Sequence, residues 1–529
     1  MTARELISTN PATGEELGRV PITSAEDVAA AVAKARETSK AWATTNFDER
    51  ARLVMRAREI VLSEMDEIAK LISAETGKPV SEAISMEIVP VLDLMQFFAR
   101  KAKKILRPRR VGIGLYSLLG RRSKIIYKPW GVVGIIPAWN YPFSIPLGEA
   151  AMALMAGNTV VIKPAESTSL TGMKIGEIFA KAAFPEDVVT IVTGAGETGA
   201  ALVAVAPDKI MFTGSVATGK KIAEESAKHL TSTVLELGGK DPMIVFADAN
   251  VELAAKAAVW GAFCNAGQSC SSVERLYVES SVTEKLTKLI VSETKQLKQG
   301  IGTDDEVSVG AMSSERQIKI VEDHVEDFRR AGAKIETGGR RASSLAASGD
   351  TDKNVRAPLF YEPTVITGAT NEMRGMREET FGPTLPIAVF ETEEQAIELA
   401  NDSEFGLTAS VWSGDRAKAR RVAARIDAGT VTINEVLYTH GIGQTPWGGF
   451  KNSGRGRTHG IEGLFELVQP QHIHENLLPI IPDAWWMPYS KNAGQTFRKF
   501  AHTFASGSVL KTVALVPTLL KRIKELIRK

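Results

Sequence analysis

The chain has 529 residues, of which 44% are apolar and 24% charged, with a net charge of +2. That length exceeds one ordinary core, so two or three domains are expected. Two cysteines cannot build a disulfide framework, and no run of about 18 apolar residues exists to cross a bilayer.

Met1-Thr2-Ala3-Arg4-Glu5-Leu6 lacks the basic-then-apolar layout of a secretion signal, so a cytoplasmic location is expected. Helical spacing runs from residue 25 to 75, through Val28, Val32 and Ala35, then Val54, Ile60, Met65, Ile68 and Ile72. Ser24 ahead of Glu26-Asp27 is a candidate N-cap. A second helix is predicted from Ser81 to about Lys104. Residues 125–127, 131–136 and 159–162 read as short buried strands, and 188–192 and 209–212 continue a β-α-β alternation. The pattern predicts a doubly wound α/β domain. It restarts after Gly239 with strands at 242–246, 275–278, 385–390 and 430–434 and a helix between Glu393 and Asn401. The Ala/Ser/Gly/Asp composition from 343 to 354 predicts an exposed loop.

Cys270 lies in Asn265-Ala266-Gly267-Gln268-Ser269-Cys270, 34 positions after Glu236 in Leu235-Glu236-Leu237-Gly238-Gly239-Lys240. A thiol in a small polar turn and a carboxylate beside a Gly-Gly turn can supply a nucleophile and a general base. Alone, each reads as well as a buried small side chain or a solvated charge. Gly194-Ala195-Gly196-Glu197-Thr198-Gly199 matches G-x-G-x-x-G after a strand, and Phe212-Thr213-Gly214-Ser215-Val216-Ala217-Thr218-Gly219-Lys220 competes with it. Either could hold a phosphate at a helix N-terminus, or be ordinary loop chemistry. Lys163 and Glu166 sit just past a predicted strand, where open α/β sheets bind ligands. They could hold ribose hydroxyls or form a surface ion pair.

Together with Pro137-Ala138-Trp139-Asn140-Tyr141-Pro142, Lys163-Pro164-Ala165-Glu166, Glu378-Glu379-Thr380-Phe381-Gly382-Pro383 and Trp447-Gly448-Gly449-Phe450-Lys451-Asn452-Ser453-Gly454, these runs resemble the aldehyde dehydrogenase superfamily. The resemblance covers roughly residues 8 to 470. It implies two doubly wound α/β domains, cofactor-binding (1–106 and 130–238) and catalytic (239–450). A small β oligomerisation arm (107–129 and 463–475) and a C-terminal helical tail (476–529) complete the expected layout, in a homodimer or homotetramer.

The resemblance also implies roles. Cys270 would attack the aldehyde carbon, with the Asn140 amide and the Cys270 N–H holding the oxyanion. Glu236 would activate water against the thioester. Glu379 would hold the nicotinamide ribose, with Phe381 packed by the ring. Lys163 and Glu166 would hold the adenosine ribose. Pro137, Trp139, Gly196, Gly214, Ser215 and Gly219 would complete the cofactor contacts. Glu166 favours NAD, because a carboxylate repels a 2′-phosphate, although some relatives use NADP as well. Relatives that pass the acyl group to coenzyme A commonly lack the glutamate found here as Glu236, so a free acid is the expected product. A non-catalytic nucleotide-binding protein on the same fold is the rival reading, and no metal is expected.

Two departures stand out. Ala138 separates Pro137 from Trp139 where the family commonly has Pro-Trp-Asn, and Cys264 is either structural or a disulfide partner for Cys270. Tyr141, Phe143, Ile145, Phe263 and Ser271 are candidate pocket side chains. Semialdehyde enzymes often place an arginine at the position that is Gly148 here. An apolar aliphatic or aromatic aldehyde is therefore expected, with succinate semialdehyde as the alternative if Arg275 meets its carboxylate.

Nine basic residues between Lys491 and Lys529 stand against Glu525 alone, giving this tail about +8 and the remainder about −6. The mildly acidic remainder gives no support for nucleic-acid binding. In the tail, Val513, Val516, Leu520, Ile523 and Ile527 recur at helical steps beside Lys511, Lys521, Arg522 and Arg528, after Trp485-Trp486-Met487-Pro488. A basic amphipathic helix here could lie on an anionic membrane through residues 490–529, or pack on its own oligomer with Pro517 as a kink.

Overall fold

The computed structural model describes residues 4–118, 120–304, 306–342, 359–508 and 512–528. The loop expected from 343 to 354 lies outside them. The chain divides into one unit of residues 1–105 and 129–468 and a second of 106–128 and 469–529.

The first unit contains two mostly parallel sheets. In the six-stranded sheet the order is Gly454–Arg455, Ser232–Glu236, Lys209–Thr213, Val132–Ile136, Thr159–Ile162, Val189–Ile191. Val132–Ile136 and Thr159–Ile162 are wholly buried runs, β-branched at every position but Gly134, as strands covered on both faces require. The chain enters at Val132–Ile136, winds outward to Val189–Ile191, then returns to the other side of Val132–Ile136 as Lys209–Thr213. Val132–Ile136 and Lys209–Thr213 thus flank a topological switch point, where open sheets form a crevice at their carboxyl ends.

The second sheet has seven strands in the order Lys334–Thr337, Thr364–Thr367, Thr384–Phe390, Val273–Glu279, Asp241–Val245, Thr408–Trp412, Thr430–Ile433. Only Lys334–Thr337 runs antiparallel. A large core of Val, Ile, Leu and Ala with Phe246, Phe328 and Phe390 packs around it.

The helical spacing from 25 to 75 resolves into three helices, Ala25–Trp42, Phe47–Ser63 and Met65–Thr76. Ser24 caps the first, its Oγ accepting from the Asp27 N–H at 3.1 Å. The long helix expected from Ser81 is not uniform: Val80–Glu82 leads into a π-helical stretch, Ala83–Ile88, before Val89–Ile105. Such wider turns are rare and often sit at functional sites.

The second unit holds a three-stranded sheet ordered Val468–Asn476, Arg121–Pro129, Arg109–Val111. Residues 125–127, expected as a buried strand of the main alternation, belong here and are only half-buried. The charged neighbours Arg122, Lys124 and Lys128 give this strand the alternation of an exposed sheet.

In the same unit, helices Lys491–Ala505 and Val516–Ile527 enclose a small core of Ala484, Phe500, Leu515 and Leu519. The buried face is therefore offset from the stripe expected at Val513, Leu520 and Ile527, which are exposed. Both sets satisfy helical spacing, so periodicity alone could not choose between them. Pro517 lies in the first turn of its helix rather than at a kink, where its missing N–H costs nothing. Arg522 is buried, pairing with Glu525 at 3.1 Å and donating to the carbonyls of Trp486 at 2.8 Å and Pro488 at 2.7 Å.

Candidate active site

The two sheets of the first unit supply opposite ends to one site. The six-stranded sheet contributes carboxyl ends: Asn140 follows Val132–Ile136, Lys163 follows Thr159–Ile162, and Glu236 closes Ser232–Glu236. The seven-stranded sheet contributes amino ends: Gly239 precedes Asp241–Val245, Cys270 precedes Val273–Glu279, and Glu379 precedes Thr384–Phe390.

Three successive left-handed residues, Asn265 (φ 51°), Ala266 (φ 52°) and Gly267 (φ 73°), turn the chain toward Cys270. Such backbone is costly for a side chain and persists where its surroundings hold it. Here the Asn265 N–H donates to Glu82 at 2.9 Å, and its amide donates to the carbonyls of Asn140 at 3.1 Å and Gln268 at 3.0 Å. At Gly267 an added Cβ would stand 2.2 Å from the Gly382 carbonyl oxygen, so no larger residue fits. The Asn140 amide donates to the same Gln268 carbonyl at 3.0 Å, which fixes it against the cysteine loop. A primary amide has two N–H groups, so one remains for a ligand.

Cys270 is partly exposed, unlike the buried Cys264, and both are free thiols. Desolvation pushes the Cys270 thiol up, and the nearby Asp241, Glu379 and Glu236 carboxylates push it further. The thiol therefore holds its proton at neutral pH and needs a base to become a nucleophile. Glu236 is buried, and neither carboxylate oxygen has a hydrogen-bond partner. Burial and then the Glu149 carboxylate raise it well above the usual range, while Arg457 pulls it down. Gly448 lets these groups approach, since a Cβ there would lie 2.9 Å from both Glu236 Oε1 and Arg457 Cδ.

Glu379 Oε1 accepts from the Gly239 N–H at 2.9 Å, and burial raises it to about 8. Phe381 is left-handed (φ 52°) and packs edge-on to Trp139, with ring centroids 5.5 Å apart. Across the crevice, Lys163 is buried with a single 3.6 Å ion pair to the more exposed Glu166. Nothing lies within 4 Å of the space above Gly196, at the start of helix Gly196–Ala204. Ser215 caps helix Val216–Lys228, Gly214 lies against the Phe212 ring, and Gly219 lets that helix rest on Leu237. A buried amine and two helix N-termini past the carboxyl ends of this sheet's strands fit an anionic dinucleotide.

Of the pocket candidates, Tyr141, Phe143 and Ile145 are buried beside Asn140 and Ser271 is buried beside Cys270, while Phe263 belongs to the core of the second sheet. Arg275 is buried and spent: it donates to the carbonyls of Lys240, Leu399 and Ala400 at 2.8, 3.1 and 2.9 Å. It is therefore not a free cation for a substrate carboxylate.

Sequence reasoning missed the charges that hold the site. Lys78 and Glu87, both wholly buried, pair at 2.7 Å. Lys78 also donates to the Asn140 carbonyl at 2.7 Å, and Glu87 accepts the N–H groups of Phe143 and Ser144 at 2.9 and 3.2 Å. On the other side, the buried Glu274 accepts from Lys240 at 2.5 Å and from the N–H groups of Thr380 and Phe381, both at 2.8 Å. The available signal was Thr76-Gly77-Lys78-Pro79, where a left-handed glycine delivers the lysine inward.

The model of the aldehyde dehydrogenase family matches residues 2–473. The chain belongs to the aldehyde dehydrogenase family. It is 38% identical over 495 residues to a 4,4'-diapolycopene aldehyde oxidase of a Methylomonas species, covering 94% of this chain and 90% of that protein. A provisionally named succinate-semialdehyde dehydrogenase (NADP(+)) of Mycolicibacterium smegmatis is 40% identical over 463 residues, 87% of each chain. Among solved structures, the NAD-dependent aldehyde dehydrogenase of Sinorhizobium meliloti matches with a TM-score of 0.85 at 36% identity, covering 92% of this chain and 93% of that one. Betaine aldehyde dehydrogenase of Staphylococcus aureus, solved with NAD+, matches with a TM-score of 0.85 at 34% identity, covering 92% and 94%. This aldehyde dehydrogenase keeps a cysteine, an asparagine and a glutamate at one crevice.

Proposed function

We propose that the enzyme oxidises an apolar aldehyde to the carboxylic acid with NAD or NADP. The observation that favours an apolar substrate is Gly148, where an added Cβ would meet Leu94 at 3.2 Å and Val91 at 4.0 Å. A hydrocarbon wall stands where a semialdehyde enzyme would place a cation, and Arg275 is engaged elsewhere. The succinate-semialdehyde reading draws on the name of the mycobacterial relative.

In this reading Cys270 Sγ attacks the aldehyde carbon and its proton passes to a Glu236 oxygen. The second N–H of the Asn140 amide and the Cys270 N–H stabilise the oxyanion. A bound dinucleotide would supply the hydride acceptor, with Lys163 and Glu166 holding its adenosine ribose, Gly196 on the adenine side, Ser215 at the pyrophosphate and Glu379 at the second ribose. Glu166 favours NAD. A thioester remains on Cys270, and Glu236 takes a proton from the water that cleaves it. Glu236 acts as base twice, so it must release a proton between the steps. Aldehydes from propanal to dodecanal test the reading. NADH formation that rises with chain length and disappears in Cys270→Ala supports it, and a preference for succinate semialdehyde removes the apolar reading.

The exposed edge strand Val468–Asn476 spans nine residues. An unpaired edge of that length is a template for association, so we assign it to pairing of copies in a dimer or tetramer. No helix among the described residues is long and apolar enough to cross a membrane. The tail suits surface contact instead: Trp486, Met487 and Tyr489 are 58%, 75% and 64% exposed, next to the basic helices. Aromatic side chains beside lysines favour an anionic bilayer interface. The triple variant Trp486→Ser, Met487→Ser, Tyr489→Ser should lose binding to phosphatidylglycerol vesicles and keep propanal turnover. Undiminished vesicle binding by that variant removes the membrane contact.

A further inference from the structure

Glu82 stands immediately before the π-helical stretch Ala83–Ile88, and Glu87 lies within it. In an α-helix, side chains five residues apart point about 140° away from each other. The wider π turn bonds residue i to i+5 and brings such a pair onto one side. Here the two carboxylates meet two different loops. Glu87 accepts the N–H groups of Phe143 and Ser144, in the turn after Asn140. Glu82 reaches the cysteine loop, where its Oε2 accepts from the Asn265 N–H at 2.9 Å.

Asn265 is where the cysteine loop is tied to the oxyanion turn. Its side-chain amide donates to the carbonyls of Asn140 at 3.1 Å and Gln268 at 3.0 Å. Its own carbonyl accepts from the Gln268 backbone N–H at 3.0 Å and from the Gln268 amide at 3.1 Å. The Asn140 amide donates to that same Gln268 carbonyl at 3.0 Å, and Cys270 follows two residues later. This arrangement holds Asn265 (φ 51°) and Ala266 (φ 52°) in the left-handed region. Neither is glycine, so the strain persists only while the surroundings hold it. Asn265 is 2% exposed, so an N–H released there has no water to turn to. Lys78 spends its amine elsewhere, on Glu87 and the Asn140 carbonyl, both at 2.7 Å, and on the face of Tyr141. The Glu82 carboxylate is thus left to the Asn265 N–H.

We propose that Glu82 is a positioning residue for Cys270: through the Asn265 N–H it holds the left-handed turn that sets the nucleophile against the Asn140 amide. The π turn lets one short segment, Lys78 to Glu87, grip both loops at once. The role rests on the reading of Cys270 as the nucleophile. It requires an oxygen within reach of the N–H, and no charge.

The probe is p-nitrophenyl acetate, which passes its acetyl group to the Cys270 sulfur and releases p-nitrophenolate with no dinucleotide present. With enzyme in excess, the first-turnover rate is measured per folded site, the folded fraction coming from melting curves on the same preparations. Glu82→Leu offers no acceptor, Glu82→Gln keeps an oxygen in reach without the charge, and Glu82→Asp keeps the charge but draws it back. Release should slow about 10²-fold in Glu82→Leu, the scale of a displacement of about 1 Å between reacting groups, and stay within about twofold of wild type in Glu82→Gln. Glu82→Asp should be slower than Glu82→Gln, an order that decides the matter alone if Glu82→Leu does not fold.

A wild-type rate per folded site in Glu82→Leu overturns the proposal, because a purely structural role lowers the folded fraction and not the rate. Glu82→Gln as slow as Glu82→Leu, or slower than Glu82→Asp, overturns it as well. Cys270→Ala in the same assay separates this role from the reading beneath it. Undiminished release there removes Cys270 as the nucleophile, whereas release lost in Cys270→Ala and undisturbed in Glu82→Leu removes the role of Glu82 alone.

Discussion

Cys270→Ala is expected to lower aldehyde oxidation at least about 10³-fold while leaving the fold in place. The loss is chemical. Cys270 is the partly exposed thiol, and the Glu236 carboxylate acts on it. Cys264 cannot substitute, because it is buried and desolvation raises its thiol well above the ordinary range. The fold should survive because Cys270 is only partly buried. Removing one sulfur there leaves no unpaired polar group, so the cost should stay within about 1 kcal/mol. Steady-state NADH formation and a melting curve on the same preparation check both halves. Residual activity above a few per cent would move the nucleophile elsewhere.

The largest effect on stability is expected at Lys78. Lys78→Met strips the partner from a Glu87 that is wholly buried, a change that costs about 3–5 kcal/mol in comparable pairs. It also frees the Asn140 carbonyl, so the turn carrying the oxyanion amide loosens and kcat should fall along with stability. The double variant Lys78→Met, Glu87→Gln should recover part of the stability, because a neutral amide oxygen can still accept from the Phe143 and Ser144 N–H groups. Urea unfolding of the wild type, of Lys78→Met, of Glu87→Gln and of the double variant measures the coupling. A single variant as stable as wild type would mean that the pair holds nothing.

The division between what the sequence displayed and what it hid has a physical basis. Strands such as Val132–Ile136 and Thr159–Ile162 are covered on both faces, so they print as unbroken apolar runs, and the residues just past them are legible as site candidates. The nucleophile, its glutamate and the asparagine carry chemistry unusual enough to stand out in small polar turns. Lys78, Glu87, Glu149 and Glu274 do not. In a linear sequence they look like the solvated charges found on any helix or strand, and only packing shows that water has been excluded around them. Arg275 misled for the same reason, since its commitment to backbone carbonyls is invisible until the chain folds. The second sheet offers its amino ends to the site, against the usual habit of open sheets, so strand order alone would have pointed to its opposite edge. In the tail, two interleaved sets of apolar residues fit one helix equally well, and the contacts of Phe500 and Ala484 select Leu515 and Leu519.

The central claim is that acid forms in two steps on Cys270, with Glu236 needed for the second. Mixing Glu236→Gln with excess aldehyde and NAD, following NADH in a stopped-flow instrument and then weighing the quenched peptides, addresses it most directly. The account predicts NADH that rises more slowly than in the wild type, because Glu236 also takes the thiol proton, and stops at about one per site, with no sustained turnover and an acyl mass on the peptide that holds Cys270. Sustained turnover at the wild-type rate, or a burst that leaves Cys270 unmodified, would contradict it.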